Sequence, residues 1–209
     1  MKQLLLWGTG GHAKVVLDCA VAARAFQVIA FIDDAPIGEF CGHAVLGTRA
    51  LLAVALGQGY GEILVSIGDN SIRAACFALA LEHGLAGATI IHPSATVSPS
   101  ASIAAGTVIM PGVIVNAGAR IGRNCIVNTA AIIEHDCVIG DHVHISPGVA
   151  LGGGVRIGAL AHMGLGAIAL PGADIGERAI VGAGSVVLKS AAPATTVVGV
   201  PSRVLALVS

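Results

Sequence analysis

Glu134, His135 and Asp136 interrupt an otherwise apolar, glycine-rich stretch, NTAAIIEHDCVIGDHVHISPG (128–148). A histidine beside an aspartate can have one ring nitrogen held by the carboxylate. That contact fixes the tautomer, raises the basicity and leaves the other nitrogen free to take a proton. His135 and Asp136 therefore have the make-up of a general base. Two further histidines follow at outward positions, His144 nearby and His162 three hexads beyond it. Surface imidazoles on a solvated corner, metal ligands that close a tetrahedron, and a proton acceptor are the three chemistries open to this group.

A second cluster stands near the start of the chain, in LLLWGTGGHAKVV (4–16). Gly8, Gly10 and Ala13 fit G-x-G-x-x-[G/A], the pattern of a loop that brings backbone N–H groups up to a pyrophosphate at a helix N-terminus. Asp33 and Asp34 follow some 25 residues after Gly8, where an acidic side chain can bond a ribose or a base edge. A nicotinamide site, a mononucleotide site and a strand–helix turn without ligand all remain possible at this point. His12 either caps backbone or touches the ligand.

The elements that position these residues fall into two regions. In residues 1–87, strands are expected at Leu4–Trp7, Val28–Ile32 and Glu62–Ile67, and helices at Ala13–Ala25, Thr48–Leu56 and Asn70–His83. Strands alternating with helices imply a small parallel α/β sheet. Three strands make half of a dinucleotide fold, enough for one mononucleotide, whereas a nicotinamide enzyme needs the second half. From Ala88 to Lys189 the chain divides without insertion into 17 hexads. Their fourth position is almost always a large aliphatic, and their second is always small or Val. That period suits neither a helix nor plain strand alternation. Short strands joined by tight turns satisfy it, three hexads to each triangular coil, with Gly and Asn at corners that demand φ > 0. The domains expected are thus 1–87 and 88–209.

Composition narrows the partners. The 209 residues carry 11 Lys+Arg against 12 Asp+Glu, a net charge of −1, with no basic block. This argues against a nucleic-acid binder, which needs a field that tracks phosphates. Mean hydropathy is high at +0.87, yet uncharged stretches such as Ile157–Ala173 are broken by Gly, Pro and His. They fall short of the roughly 20 apolar residues of a membrane-spanning helix. The N-terminal Leu run leads straight into the glycine loop and does not read as a signal peptide. Five cysteines without a C-x-x-C pair read as reduced thiols, so a cytoplasmic setting is expected.

The G-x-G-G-H loop, the I-D-D strand end, SIGDNSIR (66–73), IIEHDCVIGD (132–141) and VVGVPSR (197–203) together resemble, in this order, one family. This is the bacterial nucleotide-sugar acetyltransferases of the hexapeptide-repeat group, of the bacillosamine-pathway UDP-4-amino-sugar N-acetyltransferase and sialic acid O-acetyltransferase types. The resemblance implies a Rossmann-like α/β half-domain followed by a left-handed parallel β-helix. It implies acetyl transfer from acetyl-CoA, without a metal, to an amino group of a nucleotide-linked sugar, with O-acetylation of a sialic acid or related sugar as the alternative. It assigns His135 as the base, assisted by Asp136. It lines the nucleotide-sugar pocket with Gly10, Gly11, His12, Asp33, Asp34 and Gly68. Acetyl-CoA would lie in a groove between subunits of a homotrimer, against His144 and the backbone around Gly153, Leu165 and Ala183. Asp136 departs from the pattern as a shorter acid than the Glu of the bacillosamine enzymes, and Ser202 replaces a common Ala.

Overall fold

The apolar run before the glycines forms strand β1 (Gln3–Trp7), the first element of a computed structural model that describes residues 2–35 and 38–207. There follow α1 (Gly11–Ala23), β2 (Val28–Ile32), a short hairpin of β3 (Glu39–Phe40) and β4 (His43–Ala44), then α2 (Leu52–Gly57). The front unit ends with β5 (Glu62–Val65), α3 (Asn70–Glu82) and β6 (Ala86–Gly87). Strands β2, β1, β5 and β6 lie in that order in one parallel sheet. Leu4, Leu5 and Leu6 are all fully buried, because a parallel strand covered by helices on both faces needs apolar side chains on both.

Three local features depart from the expected elements. Helix α1 starts at Gly11 rather than Ala13, since extended Gly10 takes the N-cap. This puts Gly11 and His12 in the first turn, where backbone N–H groups lack helical acceptors. A 3-10 turn at Arg49–Leu51 precedes α2, with the Thr48 side chain accepting from Ala50 N–H. The β3–β4 hairpin and β6 were absent from the sequence pattern, because two-residue strands leave no periodicity to read. Asp69 caps α3, its Oδ1 accepting from Ile72 N–H at 2.8 Å, and so settles where the 66–69 loop turns into helix.

Every one of the 17 hexads places its third and fourth residues in a two-residue strand, from Ile90–Ile91 to Val186–Val187. Strands pair in parallel with those three hexads away, for example Val108 with Ile90 and Ile126. Three sheets result, the faces of a triangular prism. The fourth residues point inward and are buried throughout most of the stack, as with Ile109, Ile133, Ile157 and Val181, and so are the small second residues such as Ala131 and Ala167. Ile91, on the first strand of the stack, is 38% exposed. Corner residues adopt positive φ, Asn124 and Asp136 among them, a conformation that Asn and Asp tolerate better than most. A final strand (Arg203–Leu207) turns back antiparallel on Thr195–Val198.

The third, outward residues differ from face to face. On the junction face the column is Ile90, Val108, Ile126, His144, His162 and Ile180. Its first three members are 1% exposed, within the apolar cluster shared with the front unit, from whose α1 Cys19 Sγ reaches Ile109 O. One apolar cluster runs from Leu4, Val16 and Leu17 of the front unit into the prism. On the polar face the column is Ser102, Arg120, Val138, Arg156, Asp174 and Ser190. On the open face it is Thr96, Ile114, Ile132, Ala150, Ile168 and Val186, an apolar ladder that nothing in the described chain covers.

Candidate active site

His135 and Asp136 occupy the edge between the open and polar faces, following Ile132–Ile133 of the one and preceding Val138–Ile139 of the other. Positive φ at Asp136 turns its carboxylate back toward its neighbour, and Oδ2 lies 2.9 Å from His135 Nδ1. The carboxylate accepts, so Nδ1 donates and Nε2 is the nitrogen left for a substrate proton. The hydrogen bond to Asp136, then the charges of Asp136 and Glu134, raise the His135 pKa above its ordinary value. Both side chains are largely exposed, at 63% and 73%.

Gly153 stands one coil above His135. A Cβ on Gly153 would come within 2.5 Å of Nε2, so the imidazole lies flat over a position where only glycine fits. The next residue, Gly154, donates its N–H to His135 O at 2.8 Å. The Gly153 N–H itself donates to no protein group among the described residues, leaving a donor beside the imidazole.

The six residues expected around a nucleotide come together. Gly10, Gly11, His12, Asp33, Asp34 and Gly68 line one cavity of about 290 Å³ in the front unit. Asp33 Oδ2 accepts from both N–H and Oγ of Thr9, at 2.7 and 2.8 Å, and holds the glycine loop against the end of β2. Burial works to raise the Asp33 pKa, but hydrogen bonds from Ala35 and Thr9 outweigh it and lower it. Arg49, which sequence reasoning missed, pairs through its guanidinium with Asp34 and lies 5.7 Å from the ring of Trp7. The Arg49 hydrogen bond holds the Asp34 carboxyl below its ordinary range.

His144 requires a correction. The sequence reading set it near His135; the structure separates them, because their spacing along the chain is half of a coil. His144 lies on the junction face, 6.0 Å from the ring of His12 and stacked on His162 at 4.7 Å. Its Nδ1 donates to Gly68 O at 3.2 Å. Burial, then the charges of His162 and Arg73, push its pKa down to about 3. His12 is lowered to about 4 by burial and Arg73. Neutral imidazoles of such low basicity are poor proton acceptors at neutral pH, whereas the exposed, Asp136-bonded His135 is well matched to that task. His144, His162 and Gly68 also line an adjoining cavity of about 520 Å³ with Asp69, Asn70 and Arg178. Leu165 and Ala183 sit one coil apart on the edge between junction and open faces, whereas Gly153 lies on the edge between the open and polar faces. Among the described residues, no three or more His, Cys, Asp or Glu side chains group so as to hold a metal ion, and no helix is long and apolar enough to cross a membrane.

Comparison with known proteins assigns the two regions. Residues 3–79 match the PglD N-terminal domain, and residues 118–153 match the bacterial transferase hexapeptide repeat. Perosamine N-acetyltransferase from Caulobacter crescentus, solved as a His→Asn variant with CoA and GDP-perosamine, superposes with a TM-score of 0.95. It is 37% identical, over 98% of this chain and 97% of that one. The chain belongs to the sugar N-acetyltransferase family of hexapeptide-repeat transferases. Within that family, the acetyltransferase domain of PglB from Neisseria gonorrhoeae, solved with acetyl coenzyme A, is 39% identical with a TM-score of 0.94, over 98% of this chain and 99% of that domain. UDP-N-acetylbacillosamine N-acetyltransferase of Bacillus subtilis is 40% identical over 118 residues, a match that spans 51% of this chain and half of that relative. The fold that the resemblance implies, an α/β front unit followed by a left-handed β-helix, is the fold of these enzymes.

Proposed function

We propose that this protein transfers the acetyl group of acetyl-CoA to the amino group of a nucleotide-linked amino sugar, with His135 as general base and Asp136 as its partner. The observation that carries this reading is the His135 imidazole, tethered by Asp136 through Nδ1, with Nε2 against Gly153, whose N–H has no partner among the described residues. As the sugar amine attacks the thioester carbon, the C–N bond forms and Nε2 takes the amine proton. The Gly153 N–H is the donor assigned to the developing oxyanion. Collapse breaks the C–S bond, and the proton held by His135 goes to the departing sulfur, giving free CoA. The glycine loop, Asp33, Asp34 and Gly68 anchor the nucleotide, and that remote binding energy orients the amine.

A single chain cannot join its two halves of this site. The nucleotide cavity lies at the junction face, and His135 lies on the edge opposite that face. The open face between the His135–Gly153 edge and the Leu165–Ala183 edge carries the uncovered ladder of Ile114, Ile132 and Ile168, each 37–39% exposed. Apolar surface of this kind marks an interface. Packing it against a neighbouring copy in a closed homotrimer brings the base of one subunit to the nucleotide cavity of another. Acetyl-CoA then runs in the groove between them, against His144 and the backbone around Gly153, Leu165 and Ala183, and its acetyl end meets the sugar beside His144.

Thiol release tests the reaction. Mixed with acetyl-CoA and a panel of UDP-, GDP-, dTDP- and CMP-linked amino sugars, the protein is expected to release CoA with at least one amine. Release with none of the amines, or only with hydroxyl acceptors such as sialic acids, overturns N-acetylation. Asp136→Asn tests the partner assignment. Loss of the charge lowers the His135 pKa, so the acid limb of the kcat/KM profile moves to lower pH while the plateau falls with the weaker base. An unmoved limb would remove Asp136 from the mechanism.

A further inference from the structure

Arg73 is the most deeply buried charged residue of the front unit, 1% exposed, and among the described residues no carboxylate pairs with it. Its guanidinium is spent on backbone carbonyls and one side-chain amide. Nε donates to Asn124 O at 2.9 Å and Nη2 to His142 O at 2.7 Å, both on the β-helix. Nη1 donates to Ile67 O and Gly68 O, each at 3.1 Å, in the loop between the two cavities, and Nη2 also bonds Asn70 Oδ1. Asn124 returns a bond from Nδ2 to Arg73 O at 3.1 Å. One side chain thus ties α3, the 67–70 loop and the prism into a fixed arrangement.

The Gly68 carbonyl is the shared point. It accepts from Arg73 and also from His144 Nδ1. A carbonyl can only accept, so His144 carries its proton on Nδ1 and presents Nε2 as a bare lone pair. Among the described residues that Nε2 is buried without a hydrogen-bond partner, as is Nε2 of His12 on the neighbouring ring. A buried acceptor left unpaired destabilises the free protein and favours a ligand that brings an N–H or O–H to it.

We infer that Arg73 is a positioning residue for acetyl transfer: by holding the Gly68 carbonyl against the β-helix, it locks His144 in the tautomer whose Nε2 accepts a donor from the amino-sugar substrate. This rests on the transferase reading for the identity of the ligand, but the lock itself is a property of the free protein. The charged and titratable groups facing His144 are His12 on α1, Asp69 and Arg73 at the start of α3, His162 on the next coil, and Arg178 across the cavity. Arg73 adds its charge to the burial that keeps His144 neutral.

The test uses histidine 15N–1H correlation spectra of the ligand-free protein together with thiol-release kinetics from pH 5.5 to 8.5. In the unaltered protein, His144 should give a single Nδ1–H signal that does not titrate in this range. In Arg73→Gln, His144 should show mixed tautomers and titrate toward its ordinary pKa, and the sugar KM should rise about tenfold, most at acid pH, with a smaller change in kcat. Arg73→Lys keeps the charge with one nitrogen in place of three. It should restore the low titration point while leaving the tautomers mixed, and it serves in place of Arg73→Gln if that variant does not fold. Folded variants with an unchanged His144 spectrum, or with KM raised equally at every pH in Arg73→Gln, overturn the inference. If the unaltered protein releases no thiol, the transferase reading fails while the spectra still decide the lock.

Discussion

His135→Ala is expected to lower turnover by ~10²–10⁴ without loss of the fold, the range associated with removing a positioned general base. The side chain is exposed and, among the described residues, its one hydrogen bond is to its neighbour Asp136; the prism below is packed by Ile133 and Ile139. Melting temperature should therefore stay close to that of the unaltered protein while thiol release collapses. Near-normal thiol release would remove His135 from the chemistry. The same variant reports on the assembly. A subunit lacking the base retains its nucleotide cavity, and a subunit carrying Asp33→Ala loses the carboxylate that holds the glycine loop but retains the base. Refolded together in equal amounts, the two should recover about one quarter of the sites, the fraction in which an intact base from one subunit meets an intact cavity from the next in a closed trimer. Mixtures as inactive as either variant alone would show that base and cavity belong to the same chain.

Gly153→Ala is expected to lower kcat by about 100-fold, the scale of loss when a reacting group is displaced by an ångström. The added methyl would lie 2.5 Å from His135 Nε2 and 2.6 Å from Cε1, too close for any real contact, so the ring must swing out over solvent. Backbone strain does not confuse the result, because Gly153, unlike its neighbour Gly154 at φ +69, is not in the left-handed region. The methyl points toward the exposed imidazole and away from the prism interior, so stability should change little. A further sign distinguishes displacement from general damage. Loss of the imidazole's place should leave the acetyl-CoA KM less affected than kcat, whereas a disrupted groove would raise KM first. Wild-type turnover in Gly153→Ala would mean that His135 acts from a position other than the one described.

The hexads made the solenoid legible because its order is periodic. Each strand meets the one three hexads away, so a pattern along the chain is also a pattern in space. The same count contains the separation of His135 from His144, half a coil, and the stacking of Gly153 on His135, a full coil; closeness in sequence hides the first. The glycine loop and the Asp33–Asp34 strand end were legible for a related reason, since a strand, a tight turn and a helix start are local structures. Arg49 and Arg73 were not. A basic residue in an amphipathic helix ordinarily points to solvent, and only the docking of α3 on the prism buries Arg73 among carbonyls from segments 51 and 69 residues further along the chain. Sequence periodicity thus determined the prism and the identity of its corner residues. The packing of the front unit on one face decided which corners remain open, which histidines lose water and basicity, and which nitrogen of His144 carries its proton. Those are long-range burial effects, and no local spacing encodes them.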